Sequence, residues 1–255
     1  MADYFCLPGL RDSYGVFNAF SGKSYGNMSF VWGDRKEVSQ NRHNFVRSLG
    51  ISDRDFLTVG LTHGTNIRVA SDADFGRVDP ETPTFNDADS VIITQPEKYL
   101  FFCSADCLPV IVFDRRQRIL AGVHLGWKGI VGKLHLLTLL KMVNEFGSSI
   151  REICVGVGPG ICFNCNWQKQ RVIQCDLPEW HEYVFKDEGD KYFVNLHKFV
   201  LDDFSSFGID SERIEVSSFC TVENNDRIYS SEGIIRNGGE ETQGRFAVIF
   251  GVLNK

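Results

Sequence analysis

Three short segments each place a side chain that can bind a metal at the end of an apolar run. They contain His63, Cys107 and His124, and small residues flank each one. Loops that leave strand ends gather at one edge of a sheet, so residues 44 and then 17 positions apart can meet in space. Two imidazoles and one thiolate suit zinc, and three protein ligands leave a fourth position for water or substrate. The pattern suggests an open, catalytic zinc site.

The spacing of these side chains leaves two other interpretations open. Each histidine can be a hydrogen-bonded residue at a strand end, while Cys107 is a buried thiol. Alternatively, Cys107 is a nucleophile and His124 is its base, as in a cysteine hydrolase. A metal would inhibit a hydrolase of this kind, because a coordinated thiolate cannot attack a substrate.

The elements that must position these residues are mostly strands. Apolar runs bounded by turn residues predict strands over 90–94, 99–103, 110–113, 118–124, 153–157, 214–217 and 245–252. Helical periodicity predicts helices over 38–49, 131–146 and 196–207, the last capped by Asn195 and ended by Gly208. Consecutive strands beside isolated helices favour an α+β fold, a layered α/β sandwich in which helices pack on a mixed β-sheet.

Composition limits the domain organisation and the partners. The 255 residues are 43% hydrophobic and 24% charged, with no repeat or linker, which favours a single domain over 1–255. The formal charge of −6 argues against nucleic-acid binding. No apolar stretch approaches the roughly 20 residues of a membrane span, and 1–9 includes Asp3 and lacks the pattern of a secretion signal. We therefore expect a cytoplasmic protein, monomeric or homodimeric, that does not bind a membrane.

The eight cysteines include a C-x-x-C pair, Cys162 and Cys165. A zinc ribbon needs a second such pair, and the only other thiol nearby in the sequence is Cys175. Buried or incidental thiols are the expected interpretation of this pair.

Several ordered motifs resemble the bacterial YfiH/YlmD family, also called the laccase-domain or polyphenol oxidoreductase family. The main ones are Ser-Ala-Asp-Cys-Leu-Pro-Val at 104–110, Gly-Val-His-Leu-Gly-Trp-Lys-Gly at 122–129 and Gly-Pro-Gly-Ile at 158–161. The resemblance covers nearly the whole chain. It implies a Zn²⁺ ion held by His63, Cys107 and His124.

The resemblance also implies a reaction: phosphorolysis of adenosine, inosine, guanosine or methylthioadenosine to the base and pentose 1-phosphate, with adenosine deamination as a second activity. The family's laccase label keeps a copper-dependent polyphenol oxidase as an alternative. A single site of two histidines and a cysteine, however, does not resemble the several copper centres that reduction of oxygen to water requires.

A phosphorylase needs further residues around its metal. Arg42 and Lys128 are candidate cations for phosphate, and Trp127 can stack on a purine. Asp106, next to Cys107, is a candidate acid or base with Cys107 and His124, or it orients a ligand; its alternative is a turn residue that bonds the backbone. Lys128 replaces the arginine usual in the family and lacks its bidentate fork, which puts substrate affinity in doubt.

Overall fold

The structure is a computed structural model that describes residues 4–238 and 243–254. The strands within these ranges are β1 (Tyr4–Phe5), β2 (Val16–Ser21), β3 (Phe56–Thr58), β4 (Ile67–Val69), β5 (Ser90–Ile93), β6 (Tyr99–Ser104), β7 (Leu108–Asp114), β8 (Ile119–Leu125), β9 (Ile153–Val157), β10 (Trp167–Gln168), β11 (Val184–Lys186), β12 (Tyr192–Val194), β13 (Ile214–Val216) and β14 (Phe246–Val252). The helices are α1 (Pro8–Tyr14), α2 (Arg35–Ser48), α3 (Trp127–Val131), α4 (Leu134–Phe146), α5 (Leu196–Ser206) and α6 (Ser231–Arg236).

Local sequence signals explain where two of the helices begin and end. The Asp34 side chain accepts hydrogen bonds from the first-turn amides of α2. The Asn195 side chain does the same for α5, accepting from the amide of Lys198, and Gly208 follows that helix with a φ of +96°. The predicted caps of α5 are therefore confirmed.

The helix predicted over 131–146 is divided in the structure. Gly132 and Lys133 separate α3 from α4, and Lys133 has a left-handed φ of +57°. A left-handed residue cannot continue an α-helix, so the apolar periodicity runs on while the helix axis does not. As a result, α3 is a separate short helix that begins directly after Gly126.

Two large mixed sheets and one small sheet are found among the described residues. The first has the order β1-β2-β14-β6-β3, the second β13-β9-β7-β8-β5-β4, and the small one β10-β12-β11. Parallel pairs (β3 with β6, β4 with β5, β13 with β9) stand beside antiparallel ones. The α+β fold class is confirmed, but the strands form two large sheets, and β2, which lies in the first of them, was not among the predicted strands.

The two large sheets pack face to face and helices cover their outer faces. The buried cluster between the sheets joins Leu100 and Phe250 of the first sheet to Ile111 and Leu120 of the second. Gly122 lies at their closest approach, because a Cβ there would lie 2.2 Å from the Leu100 side chain. A second cluster packs α2 on the first sheet, and a third packs α4 and α5 on the second sheet. The layers are thus helix, sheet, sheet and helix.

Within the described part of the chain, none of the helices has the length and apolar character needed to span a bilayer. Asp3, which entered the argument against a secretion signal, lies outside the described residues.

Candidate metal centre

The three metal-competent side chains lie on different elements that end at one edge of the sheets. His63 lies in the loop between β3 and β4, and Cys107 lies where the chain passes from β6 of the first sheet to β7 of the second. His124 is near the end of β8. Because β7 and β8 are antiparallel, with Pro109 opposite His124, the residue just before β7 lies beside the end of β8. The register of one hairpin therefore brings Cys107 to His124.

The structure brings all three candidate ligand atoms within 4.8 Å of one another. The His63 and His124 rings meet edge to face with centroids 4.9 Å apart. Gly126 allows this approach, because a Cβ there would lie 3.0 Å from Cδ2 of His63 and 3.3 Å from Sγ of Cys107. His63 has a left-handed φ of +56°, so its loop is held in an uncommon conformation by its surroundings.

A buried carboxylate that the sequence analysis did not single out, Asp89, holds two of the three segments together. One oxygen accepts from Nδ1 of His124 at 3.1 Å and from the backbone amide of His63 at 2.9 Å. The other accepts from the Thr62 hydroxyl at 2.6 Å and the Gly64 amide at 2.7 Å. Asp89 thus fixes the His63 loop and assigns Nδ1 of His124 to itself, which leaves Nε2 for the site.

Electrostatics makes the site strongly polarised. Burial alone would raise the pKa of the Cys107 thiol, but His124 and His63 outweigh it and lower this pKa to about 6. Burial would lower the pKa of His124, but Cys107 and Asp89 raise it to about 9. Burial of Asp89 is likewise outweighed by its hydrogen bonds, chiefly from His124 and Thr62, which hold its pKa well below the usual range. In the absence of a metal, both shifts favour a thiolate at Cys107 beside an imidazolium at His124.

This donor set fits a thiophilic divalent metal. A metal can take the place of the His124 proton, since the thiolate, the freed Nε2 and His63 lie close enough to share one ion. Asp89 supplies the carboxylate–histidine pair that commonly accompanies such sites. Two imidazoles and one thiolate suit zinc and copper alike, so the donors alone do not choose the metal.

Asp106 ties the Cys107 loop to a distant part of the chain. Its Oδ1 accepts from the hydroxyls of Thr221 and Ser230, both at 2.6 Å, and its Oδ2 accepts from the Glu232 amide at 2.8 Å. Both oxygens are therefore engaged, and φ is +82°. These contacts favour an orienting role over a catalytic acid or base.

Trp127 lies one residue after the glycine that packs against His63 and Cys107. It follows Gly126, is 45% exposed, and lines a cavity of about 210 Å³ together with Arg171, Gln174 and Tyr192. Lys128 is exposed, with its Nζ 5.6 Å from the centroid of the Trp127 ring. Both side chains are thus exposed within four residues of His124 along the chain.

Arg42 is a correction to the sequence-based expectation. It is only 7% exposed, and its guanidinium donates to the carbonyls of Met28 and Val78, both at 2.9 Å. The same group lies over the rings of Phe30 and Phe101. A buried guanidinium with these partners holds the first sheet against α2, so the structure does not support a role in substrate binding.

Arg245 is a cation near the site that the sequence analysis did not propose. Burial lowers its pKa, opposed by the charges of Asp106, Cys103 and Cys107. It lies directly before β14, and no local sequence pattern assigned it a role.

Comparison with known proteins gives a consistent result. Residues 15–252 match the family model described as "Multi-copper polyphenol oxidoreductase laccase". A purine nucleoside phosphorylase of Bacteroides thetaiotaomicron is 26% identical over 223 residues, which are 84% of this chain and 82% of the relative. A protein named adenosine deaminase RL5, from an unknown prokaryotic organism, is 25% identical over 149 residues, 58% of this chain and 56% of the relative.

The fold agrees with a solved structure. The crystal structure of the Bacillus licheniformis hypothetical protein YfiH superposes with a TM-score of 0.85 at 23% sequence identity, covering 99% of this chain and 97% of that one. At this identity the likeness establishes the shared fold.

Proposed function

Since the chain belongs to the multi-copper polyphenol oxidoreductase laccase family, which includes the YfiH/YlmD proteins, we propose that it is a zinc-dependent purine nucleoside phosphorylase. The proposed substrates are adenosine, inosine, guanosine and methylthioadenosine with phosphate, and adenosine deamination is the proposed side activity. The observation that carries the proposal is the cluster of His63, Cys107 and His124, backed by Asp89, in a chain whose relatives include a purine nucleoside phosphorylase and an adenosine deaminase.

His63, Cys107 and His124 would hold the zinc. A zinc ion bound by three protein ligands supplies a Lewis acid with one open coordination position. Asp89 keeps the proton of His124 on Nδ1 and so presents Nε2 to the metal. Asp106 holds the loop of Cys107 through its bonds to the C-terminal segment.

The surrounding residues would bind the two substrates. The exposed face of Trp127 offers a stacking surface for the purine, and the adjacent cavity has room for a nucleoside part. Lys128 and Arg245 would supply positive charge for phosphate in place of Arg42. We also propose that the enzyme acts in the cytoplasm, as a monomer or homodimer; the free cysteines of the described residues suit a reducing compartment.

A cysteine hydrolase is the second candidate, and the closeness of Cys107 to His124 favours it. The lowered pKa of Cys107 and the raised pKa of His124 are those of an activated thiolate–imidazolium pair. The two functions require opposite states of Cys107: a metal ligand in the phosphorylase and a free nucleophile in the hydrolase.

The deciding experiment follows inosine and adenosine with and without phosphate, before and after zinc is removed. We expect phosphate-dependent release of the base, formation of pentose 1-phosphate, and loss of activity on chelation that added zinc restores. Cys107→Ala and His124→Ala should abolish zinc-dependent turnover, whereas Cys175→Ala, a thiol outside the cluster, should not.

Activity that needs no phosphate and rises after zinc is removed would instead support the hydrolase. Oxidation of a phenol that requires copper and oxygen would support the laccase alternative named in the family description. Either result, in the absence of phosphorolysis, contradicts the proposed reaction.

A further inference from the structure

A second group of metal-competent side chains lies outside the site described above. It gathers at the turn after β9 and at the segment that follows β13, where residues far apart in the sequence approach each other. The four donors lie within 4.8 Å of one another and are Cys162, Cys165, Cys220 and Glu223.

Sequence spacing concealed this cluster. The C-x-x-C pair has no second pair nearby, and Cys175 is not among the clustered donors. The third thiol, Cys220, lies 58 residues after Cys162 and reaches it because Gly160 and Cys220 form a β-bridge. The expectation that the pair is incidental therefore rested on the wrong neighbour.

We propose that these three thiols and one carboxylate form a second metal centre, which binds a thiophilic divalent cation such as zinc and has a structural role. Four protein ligands complete a tetrahedral coordination shell, so no position is left for substrate. The second centre differs in this respect from the cluster of His63, Cys107 and His124, which provides three protein ligands and leaves one coordination position open.

The distances fit a shared tetrahedral ion. With Zn–S near 2.3 Å and Zn–O near 2.0 Å, a sulfur and an oxygen bound to one zinc lie about 3.5 Å apart. In the structure, Sγ of Cys162 is 3.6 Å from Oε1 of Glu223, and Sγ of Cys165 is 3.9 Å from the same oxygen. The same Glu223 oxygen thus faces two thiols at close to the required spacing.

The surroundings suit metal capture and retention. Cys220 is 3% exposed and accepts a hydrogen bond from the backbone amide of Cys162 at 3.4 Å, the kind of contact that stabilises a thiolate ligand. Glu223 is exposed, and Cys162 is partly so, which provides an entry path from solvent. Partly buried thiols that face a carboxylate are stabilised by a cation that neutralises their charge.

The centre would brace the first site. The residue after Cys220, Thr221, donates its amide to Gly160 at 3.1 Å and its hydroxyl to Asp106 at 2.6 Å. Asp106 in turn precedes Cys107. A metal that joins the turn of Cys162 to the segment of Cys220 would therefore hold Thr221 in place. Thr221 in turn holds Asp106 and the loop that carries Cys107, so the metal supports the first site without contacting substrate.

The test counts metal on the full chain. The protein is reduced, stripped of metal and reloaded with zinc in the absence of oxygen, so that disulfide formation does not compete with metal binding. Bound zinc is then measured by elemental mass spectrometry. We expect about two zinc ions per chain, falling to about one in Cys107→Ala and to about one in Cys162→Ser/Cys165→Ser. The double variant Cys6→Ser/Cys175→Ser, which alters two thiols outside both clusters, should keep two.

Loading with cobalt gives a second, spectroscopic measurement of the second centre that does not require the double variant Cys162→Ser/Cys165→Ser. Thiolate-to-cobalt charge-transfer absorption grows with the number of thiolate ligands, so Cys107→Ala protein loaded with cobalt should still absorb strongly. Glu223→Gln changes an exposed side chain, so the fold should be retained. It should keep this absorption and weaken zinc binding at least about tenfold in a chelator competition.

One zinc per reduced chain, lost in Cys107→Ala and retained in Cys162→Ser/Cys165→Ser, would overturn the second centre. A cobalt spectrum indifferent to Cys162 and Cys165 would do the same. If two ions bind and Cys107→Ala removes neither, the second centre stands and the proposed catalytic metal fails, so the two proposals fail separately.

Discussion

At the residue scale, the carboxylate of Asp89 has the widest influence on the candidate centre. It accepts hydrogen bonds from the His63 segment and from the His124 ring, and its side chain is fully buried. A buried carboxylate with this many donors leaves several of them unsatisfied if its charge or shape is changed.

Asp89→Asn should therefore weaken metal binding without removing a ligand. The amide presents N–H groups to donors that need an acceptor, and His124 loses the partner that fixes its tautomer. We expect zinc affinity to fall about 10- to 100-fold in a chelator competition.

Asp87→Asn is the matched control, because Asp87 is an exposed neighbour that pairs with Arg68 at the surface. Its zinc affinity should remain that of the wild type. Equal affinity in both variants would mean that Asp89 does not orient the ligands.

Individual site residues differ in how well the sequence predicts them. His63, Cys107 and His124 end apolar runs, so their convergence follows from strand topology, and the structure brings them together. Asp89 carries no such signal, because an aspartate before a strand is common in turns. Arg42 was misassigned because nothing in a helical sequence tells whether a guanidinium meets solvent or, as here, buried carbonyl groups.

At the scale of elements, a histidine in the first turn of α5 makes the stability of the folded protein depend on pH. His197 is the second residue of α5, and burial lowers its pKa to about 4. The N-terminal end of a helix also disfavours positive charge. The folded state therefore keeps His197 neutral at a pH where the unfolded chain, with a pKa near 6.5, binds a proton.

The sign of the effect follows from this difference. Because the unfolded state binds more protons between about pH 6.5 and 4, the stability contributed by neutral His197 is present above that window and is lost as the pH falls through it. Between pH 7.5 and pH 5, the free energy of unfolding of His197→Gln should thus fall by about 2 kcal/mol less than that of the wild type.

Urea denaturation at the two pH values measures this difference directly, because contributions common to both proteins cancel. His181→Gln, which alters an exposed histidine, serves as the control and should behave as the wild type does. If the stability of His197→Gln depends on pH as that of the wild type does, His197 binds its proton equally in the folded and unfolded states, which contradicts the prediction.

The length of a strand decides whether its sequence pattern predicts it. Long apolar strands such as β7, β8 and β14 were predicted within two residues, because burial on both faces imposes a continuous apolar run. Strands of two or three residues, such as β1 and β3, owe their existence to partners far along the chain. Their short segments have too few residues to show a period.

At the scale of the whole molecule, the position of β14 makes the fold indivisible. β14 lies between β2 and β6, pairs with both along most of its length, and all seven of its residues are buried. The first sheet therefore joins the beginning, the middle and the end of the described chain.

We expect a chain that ends at residue 244 to lack a cooperative thermal transition, whereas a chain that ends at residue 252 retains one. Circular dichroism on heating provides the measurement. Limited proteolysis of the intact protein should likewise release no stable fragment that covers only the first 150 or so residues. A folded fragment of that kind would contradict the single-domain proposal for 1–255.

The central place of β14 also has a consequence for biosynthesis. The ribosome releases β2 and β6 early, but the strand that must lie between them follows β6 by roughly 140 residues. At about 5–20 residues per second, the nascent chain carries two unpaired apolar strand edges for about 7–28 s. Such edges readily pair with other chains, so chaperones that bind the nascent chain should determine how much of the translated protein reaches its native state.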